Sequence, residues 1–103
     1  MRVMVKFALP VGSGNSAIRT GKVEKVFRQV MEELKPEAAY FFPTGGERGG
    51  FLIVNMADSS EIVQVAERFF LGLDASIEMV PVMAADDLQK GLASVPDIVQ
   101  RYG

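Results

Sequence analysis

The segment from Ala38 to Ala57, AAYFFPTGGERGGFLIVNMA, constrains the fold of this chain more than any other. Two apolar, β-rich runs flank a turn carrying four glycines, which is the pattern of a β-hairpin. The aromatic and β-branched side chains of Tyr40, Phe41 and Phe42 on one side, and of Phe51, Ile53 and Val54 on the other, suit a pleated surface. Strands are predicted over Ala38–Pro43 and Gly50–Ala57, joined through Thr44–Gly49. Because one helical pattern precedes this hairpin and another follows it, the chain points to a split β-α-β arrangement rather than to alternating parallel units.

The flanking segments extend that reading. Arg2–Leu9 alternates, with Val3, Val5 and Phe7 on one face and Met4, Lys6 and Ala8 on the other, so it is read as the first strand. Pro10 ends it, and VGSGNSAIRTG reads as a loop that winds into a helix only near its end. Val23, Val26, Phe27, Val30, Met31 and Leu34 then recur every three or four residues and define a helix that Pro36 stops. Burying that stripe gives on the order of 10 kcal/mol of gross hydrophobic stabilisation before chain entropy is subtracted. Asp58 stands three residues before Glu61, the spacing of a capping box, ahead of a second helix carrying Ile62, Val65, Ala66, Phe69, Phe70 and Leu73. SIEMVPVM is a fourth strand whose Pro81 belongs at an edge. A tail helix begins near Asp86, with Leu88 and Leu92 facing inward, and Pro96 opens a last short helix.

The order β-α-β-β-α-β is the ferredoxin-like pattern. The expected fold is therefore α+β: a single domain over residues 1–103, with an antiparallel four-stranded sheet and a C-terminal helical tail. Two helices on one face of the sheet leave the other face bare, and that face is largely apolar. A second copy of the chain is the natural cover.

Composition removes many chemistries. There is no cysteine and no histidine, which excludes disulfides, thiolate metal sites, serine–histidine triads and histidine-ligated haem. No metal site and no cofactor is expected. The 11 basic and 13 acidic residues are interspersed and sum to −2, without a basic block to neutralise phosphates, so nucleic acid is not an expected partner. Lys6 and Pro10 break any signal-peptide core, and no apolar run approaches the roughly 18 residues of a membrane span. The reading is a cytoplasmic protein with no membrane partner.

The glycine-rich hairpin, the strand GGFLIVNMAD running into a capped helix, and the late strand IEMVPVM resemble the dimeric α/β-barrel superfamily, nearest to its short uncharacterised bacterial members. The resemblance spans nearly the whole chain but rests on pattern rather than on a signature motif. It implies two sheets facing each other in a barrel-like homodimer, with a pocket between sheet and helices or inside the barrel. Members include muconolactone isomerases, antibiotic-biosynthesis-type monooxygenases, haem-degrading proteins and ligand-sensing domains. The chain departs from the haem-binding branches in having no histidine and from several oxygenase branches in having no tryptophan, which counts against those activities.

If the barrel-facing side is the one carrying Met4, Lys6 and Ala8, alternation allows a matching face with Tyr40, Asn55 and Glu78. These four are the candidate site, with Lys6 and Glu78 as acid–base residues and Tyr40 and Asn55 as substrate-orienting groups. The bland alternative is solvated strand residues, a core tyrosine ring and an asparagine at a strand end. Arg48, at the hairpin tip, is a candidate to close over a carboxylate or phosphate, or else an edge-solubilising residue. Phe69, Phe70, Met56, Met79 and Met83 read as core. The pair Asp86 and Asp87 reads as a helix cap rather than a Mg²⁺ site. GSGNSA matches a relaxed G-x-G-x-x-A, but a dinucleotide site needs a parallel sheet and a following acidic residue that are lacking. Gly21–Lys22 misses a P-loop at Ser16 and Val23. The expected function is binding of a small apolar organic molecule, with cofactor-independent isomerase- or monooxygenase-like chemistry as its enzymatic form. The alternative is a non-catalytic homodimeric module without a pocket.

Overall fold

A computed structural model describes all residues, Met1–Gly103. The elements in chain order are β1 (Arg2–Leu9), α1 (Val11–Arg19), α2 (Lys22–Leu34), β2 (Ala38–Thr44), β3 (Glu47–Asn55), α3 (Glu61–Leu73), β4 (Ser76–Pro81), α4 (Ala85–Leu92) and α5 (Val95–Tyr102). The four strands form one antiparallel sheet in the order β2-β3-β1-β4. This is an α+β architecture compatible with a ferredoxin-like fold.

The hairpin is tighter than the sequence implies. Thr44 pairs with Glu47, so only Gly45 and Gly46 lie in the turn, at φ 59° and 80°. Two successive positive φ values define the turn whose twist matches that of the flanking strands, and glycine reaches them without steric cost. Arg48 and Gly49, expected in the loop, are strand residues like Gly50. A side chain at Gly49 would stand 2.5 Å from the Phe7 carbonyl oxygen, and one at Gly50 would collide with the Tyr40 carbonyl oxygen. Here the glycines serve close approach of neighbouring strands rather than the turn.

Val3, Val5, Phe7 and Leu9 of β1 and Leu52 and Val54 of β3 point to the helix-covered face, where they meet Val30 of α2 and Val65, Phe69 and Leu73 of α3. Phe69 lies 5.3 Å from Phe7 between ring centroids, and Phe7 lies 5.2 Å from Phe27. Met56 belongs to this core and Met79 packs against it. Phe70 and Met83, expected in the core, are exposed.

Two further expectations are corrected. Val11–Arg19 is a helix, not a loop: Pro10 stands at its start, where a missing N–H costs nothing, and the buried Gly14 and Ala17 let the helix lie close to the body. Leu88 and Leu92 do not face inward; every residue from Ala85 to Gly103 is exposed. A 3.6-residue period reveals an apolar stripe but does not say which body the stripe meets.

Pro81 lies on edge strand β4, as its missing N–H requires. At the start of α3, the Glu61 carboxylate accepts from the N–H groups of Ala57 (2.6 Å) and Asp58 (2.9 Å), and the Asp58 carboxylate accepts from the N–H of Ser60 (2.8 Å). The hydrogen bonds from Ser60 hold the Asp58 carboxyl below the ordinary aspartate range. A depressed folded-state value contributes stability that is full above the unfolded value, about pH 4, and lost as pH falls through the folded one. Melting curves of the wild type and Asp58→Ala should therefore differ by a constant amount above about pH 5 and converge on the acid side. A gap that persists unchanged into strong acid would refute this role for the carboxylate.

Candidate functional site

Register places each sequence-predicted site residue. Tyr40 pairs with Phe51, Phe51 with Lys6, and Lys6 with Glu78, so three candidates stand in one lateral row across the open face of the sheet. The Tyr40 ring packs on Phe51 at 5.4 Å. Lys6 and Glu78 are exposed neighbours that form no ion pair, and they border a shallow hollow of about 280 Å³ together with Ser76 and Thr44. Asn55 shares this face but pairs with Arg2, two rows farther along. Its side-chain oxygen accepts from the amino group of Met1 at 2.8 Å. Arg48 lies on the other face: it is in register with Leu9, and its side chain crosses to α1. The structure thus brings Tyr40, Lys6 and Glu78 together, separates Asn55, and puts Arg48 across the sheet.

Arg48 stands at the mouth of an apolar cavity of about 610 Å³ between the β2–β3 hairpin and helices α1 and α2. Phe7, Leu9, Val11, Val23, Phe27 and Phe41 form most of its wall. The Phe27 and Phe41 rings meet edge-on at 5.2 Å, and Phe41 lies 6.1 Å from Phe7, so aromatic rings make a continuous surface. Phe41 is 56% exposed and Val11 49%, apolar area that an occupant would remove from water. The volume falls within the range of about 300–1,000 Å³ usual for small-molecule sites.

Two residues of the GSGNSA segment, Gly14 and Asn15, set the arginine. Arg48 donates through Nη2 to Asn15 Oδ1 at 2.9 Å. A side chain on Gly14 would come within 3.0 Å of Arg48 Nη1, so the absence of one makes room for the guanidinium over α1. Arg48 takes part in none of the ion pairs of the chain. A guanidinium with one neutral partner keeps further N–H donors free for a planar anion. The cavity wall also carries one carboxylate, Glu47, and no other acid, base or nucleophile.

A third hollow, of about 690 Å³, includes Arg2, Glu37, Asn55 and Asp87. Its charges are mutually engaged, with Arg2 bonded to Glu37 at 2.7 Å and to Asp87 at 3.3 Å. No three His, Cys, Asp or Glu side chains gather in a way that could hold a metal ion, and no helix is long and apolar enough to cross a membrane.

An α+β chain with a one-sided antiparallel sheet and a cavity on its helical side is the class these features define. Residues 1–95 match a family described as Domain of unknown function (DUF3303), and the chain belongs to that family. No curated protein matches it. The matched region contains every residue of the hairpin cavity.

Proposed function

We propose that this chain is a cytoplasmic, homodimeric small-molecule-binding protein whose ligand is an amphipathic anion, its apolar body against Phe7, Phe27 and Phe41 and its carboxylate at Arg48. The observation that carries the reading is a guanidinium without an acidic partner at the mouth of an aromatic-walled cavity. Burial of an aryl body supplies the affinity, and a charge-assisted, two-pronged hydrogen bond supplies the selectivity for an anion. An isomerase- or monooxygenase-like step is the narrower form of this reading. It would fall to Lys6 and Glu78, which face away from the cavity, so the geometry supports binding more than proton transfer.

Titration calorimetry with 2-naphthoate, and with 2-naphthamide as its uncharged match, tests the proposal. Naphthoate should bind wild-type protein, and Arg48→Met should weaken it by roughly 10- to 100-fold, the worth of a hydrogen bond to a charged group. The amide should be insensitive to that substitution. Because Arg48 is exposed, the melting temperature of the variant should stay near that of the wild type. Naphthoate binding that ignores Arg48→Met would defeat the assignment of the anion site. Absence of binding by any aryl carboxylate would favour the non-catalytic module.

A further inference from the structure

We propose that the C-terminal arm, α4 and α5, is an exchange element that lies along the open sheet face of a second copy of this chain. The inference rests on the homodimer in the reading above and specifies how that dimer is built.

No residue of the arm is buried against its own chain. All of its residues are exposed, yet Leu88 and Leu92 on α4, and Val95, Val99 and Tyr102 on α5, recur at spacings of four and three, an apolar stripe on each helix. The molecule measures 59 × 28 × 21 Å with a radius of gyration of 17.2 Å, against about 13 Å for a compact domain of this length. Its accessible surface is 7094 Å². A compact monomer of 11.2 kDa exposes about 5,700 Å². The excess, about 1,400 Å², is more than the roughly 800 Å² that each partner contributes to a stable interface.

The direction of the arm is set at its base. The Asp87 carboxylate accepts from the Ala84 N–H at 2.9 Å and from Arg2, which is itself tied to Glu37. Arg2 is an open-face residue, so the arm leaves from the corner of the very face that lacks cover. That face presents Tyr40, Phe42, Phe51, Ile53, Met4 and Val80 without a layer over them, Tyr40 at 60% exposure. The 16 helical residues of the arm, eight in each helix, amount to about 24 Å of helix. Four strands spaced about 4.8 Å apart span 15–20 Å. One arm is long enough to cross the sheet, and a two-fold axis makes the exchange reciprocal.

Two full-length variants test this. In Leu92→Glu/Val99→Asp both substitutions fall on exposed positions, so the monomer should keep its circular dichroism and its naphthoate affinity, while the dimer dissociation constant by sedimentation should rise at least 100-fold. Because the chain has no cysteine, a copy with Val99→Cys mixed with a copy with Phe42→Cys should form a disulfide cross-link between the two upon mild oxidation. A double variant that dimerises as tightly as the wild type overturns the arm while leaving the dimer standing. Loss of dimer without any Val99–Phe42 cross-link overturns the placement on the sheet face. A wild-type chain that is monomeric at 100 μM overturns both the arm and the homodimer, and the cavity reading is then judged by calorimetry alone.

Discussion

Gly50→Ala should lower the unfolding free energy by about 3 kcal/mol or more, through overpacking between strands that leave no room for a methyl group. The new Cβ would collide with the Tyr40 carbonyl oxygen and press on the Phe41 Cα and the Phe7 ring, at a residue whose φ is 154°. Neither β2 nor β1 can retreat cheaply, because both are held in register on either side of β3. Gly46→Ala provides the contrast. Gly46 has a positive φ of 80° but no atom within 4 Å of the added methyl, so only the conformational term of about 1 kcal/mol applies. Urea melts of the two variants separate collision from backbone preference. Equal midpoints would mean that the β2–β3 register is not as described.

Phe69→Ala should cost about 3–5 kcal/mol, the range for removing a fully buried aromatic ring. Phe69 is 0% exposed and supports both Phe7 and Phe27, the rings that floor the hairpin cavity. Loss of that support should also weaken naphthoate binding in whatever fraction stays folded. Phe70, its immediate neighbour, is 43% exposed, so Phe70→Ala should cost less than about 1 kcal/mol. Similar melting temperatures for the two variants would contradict the assignment of Phe69 to the core.

Much of the scaffold is readable from the chain because its signals are local. The alternation of β1, the stripes of α2 and α3, the Asp58–Glu61 pair and Pro81 at the edge each follow from a period or a cap that neighbouring residues supply. Helix α1 is hidden because Gly12, Ser13 and Gly14 carry loop propensity. What offsets it is tertiary: Gly14 lies under Arg48 and Leu9, contacts that sequence spacing cannot reveal. The hairpin misled in a related way, since four glycines look like one turn although two of them serve strand contact.

The site divides similarly. Parity allows Lys6, Tyr40, Asn55 and Glu78 to share one face, and the strand register puts them there. It could not say that Asn55 lies two rows away, which depends on pairing between strands. Arg48 was legible as an arginine at a glycine-rich tip. Its partner Asn15 was not, because it sits 33 positions away on a helix taken for a loop. The aromatic walls are legible only as a strand face, a helix stripe and a hairpin strand: Phe7 is buried, but Phe41, on edge strand β2, leaves the space beside it open.

The central claim is that a ligand sits on the helical side of the sheet at the hairpin, held by Arg48. Backbone amide shifts of isotope-labelled protein titrated with 2-naphthoate test it directly. The largest changes should fall on Val11, Asn15, Val23, Phe41 and Gly46–Gly49, and in Arg48→Met should need roughly 10- to 100-fold more ligand to reach the same size. Changes centred instead on Lys6, Tyr40, Phe51 and Glu78 would place the ligand on the open face and contradict the claim.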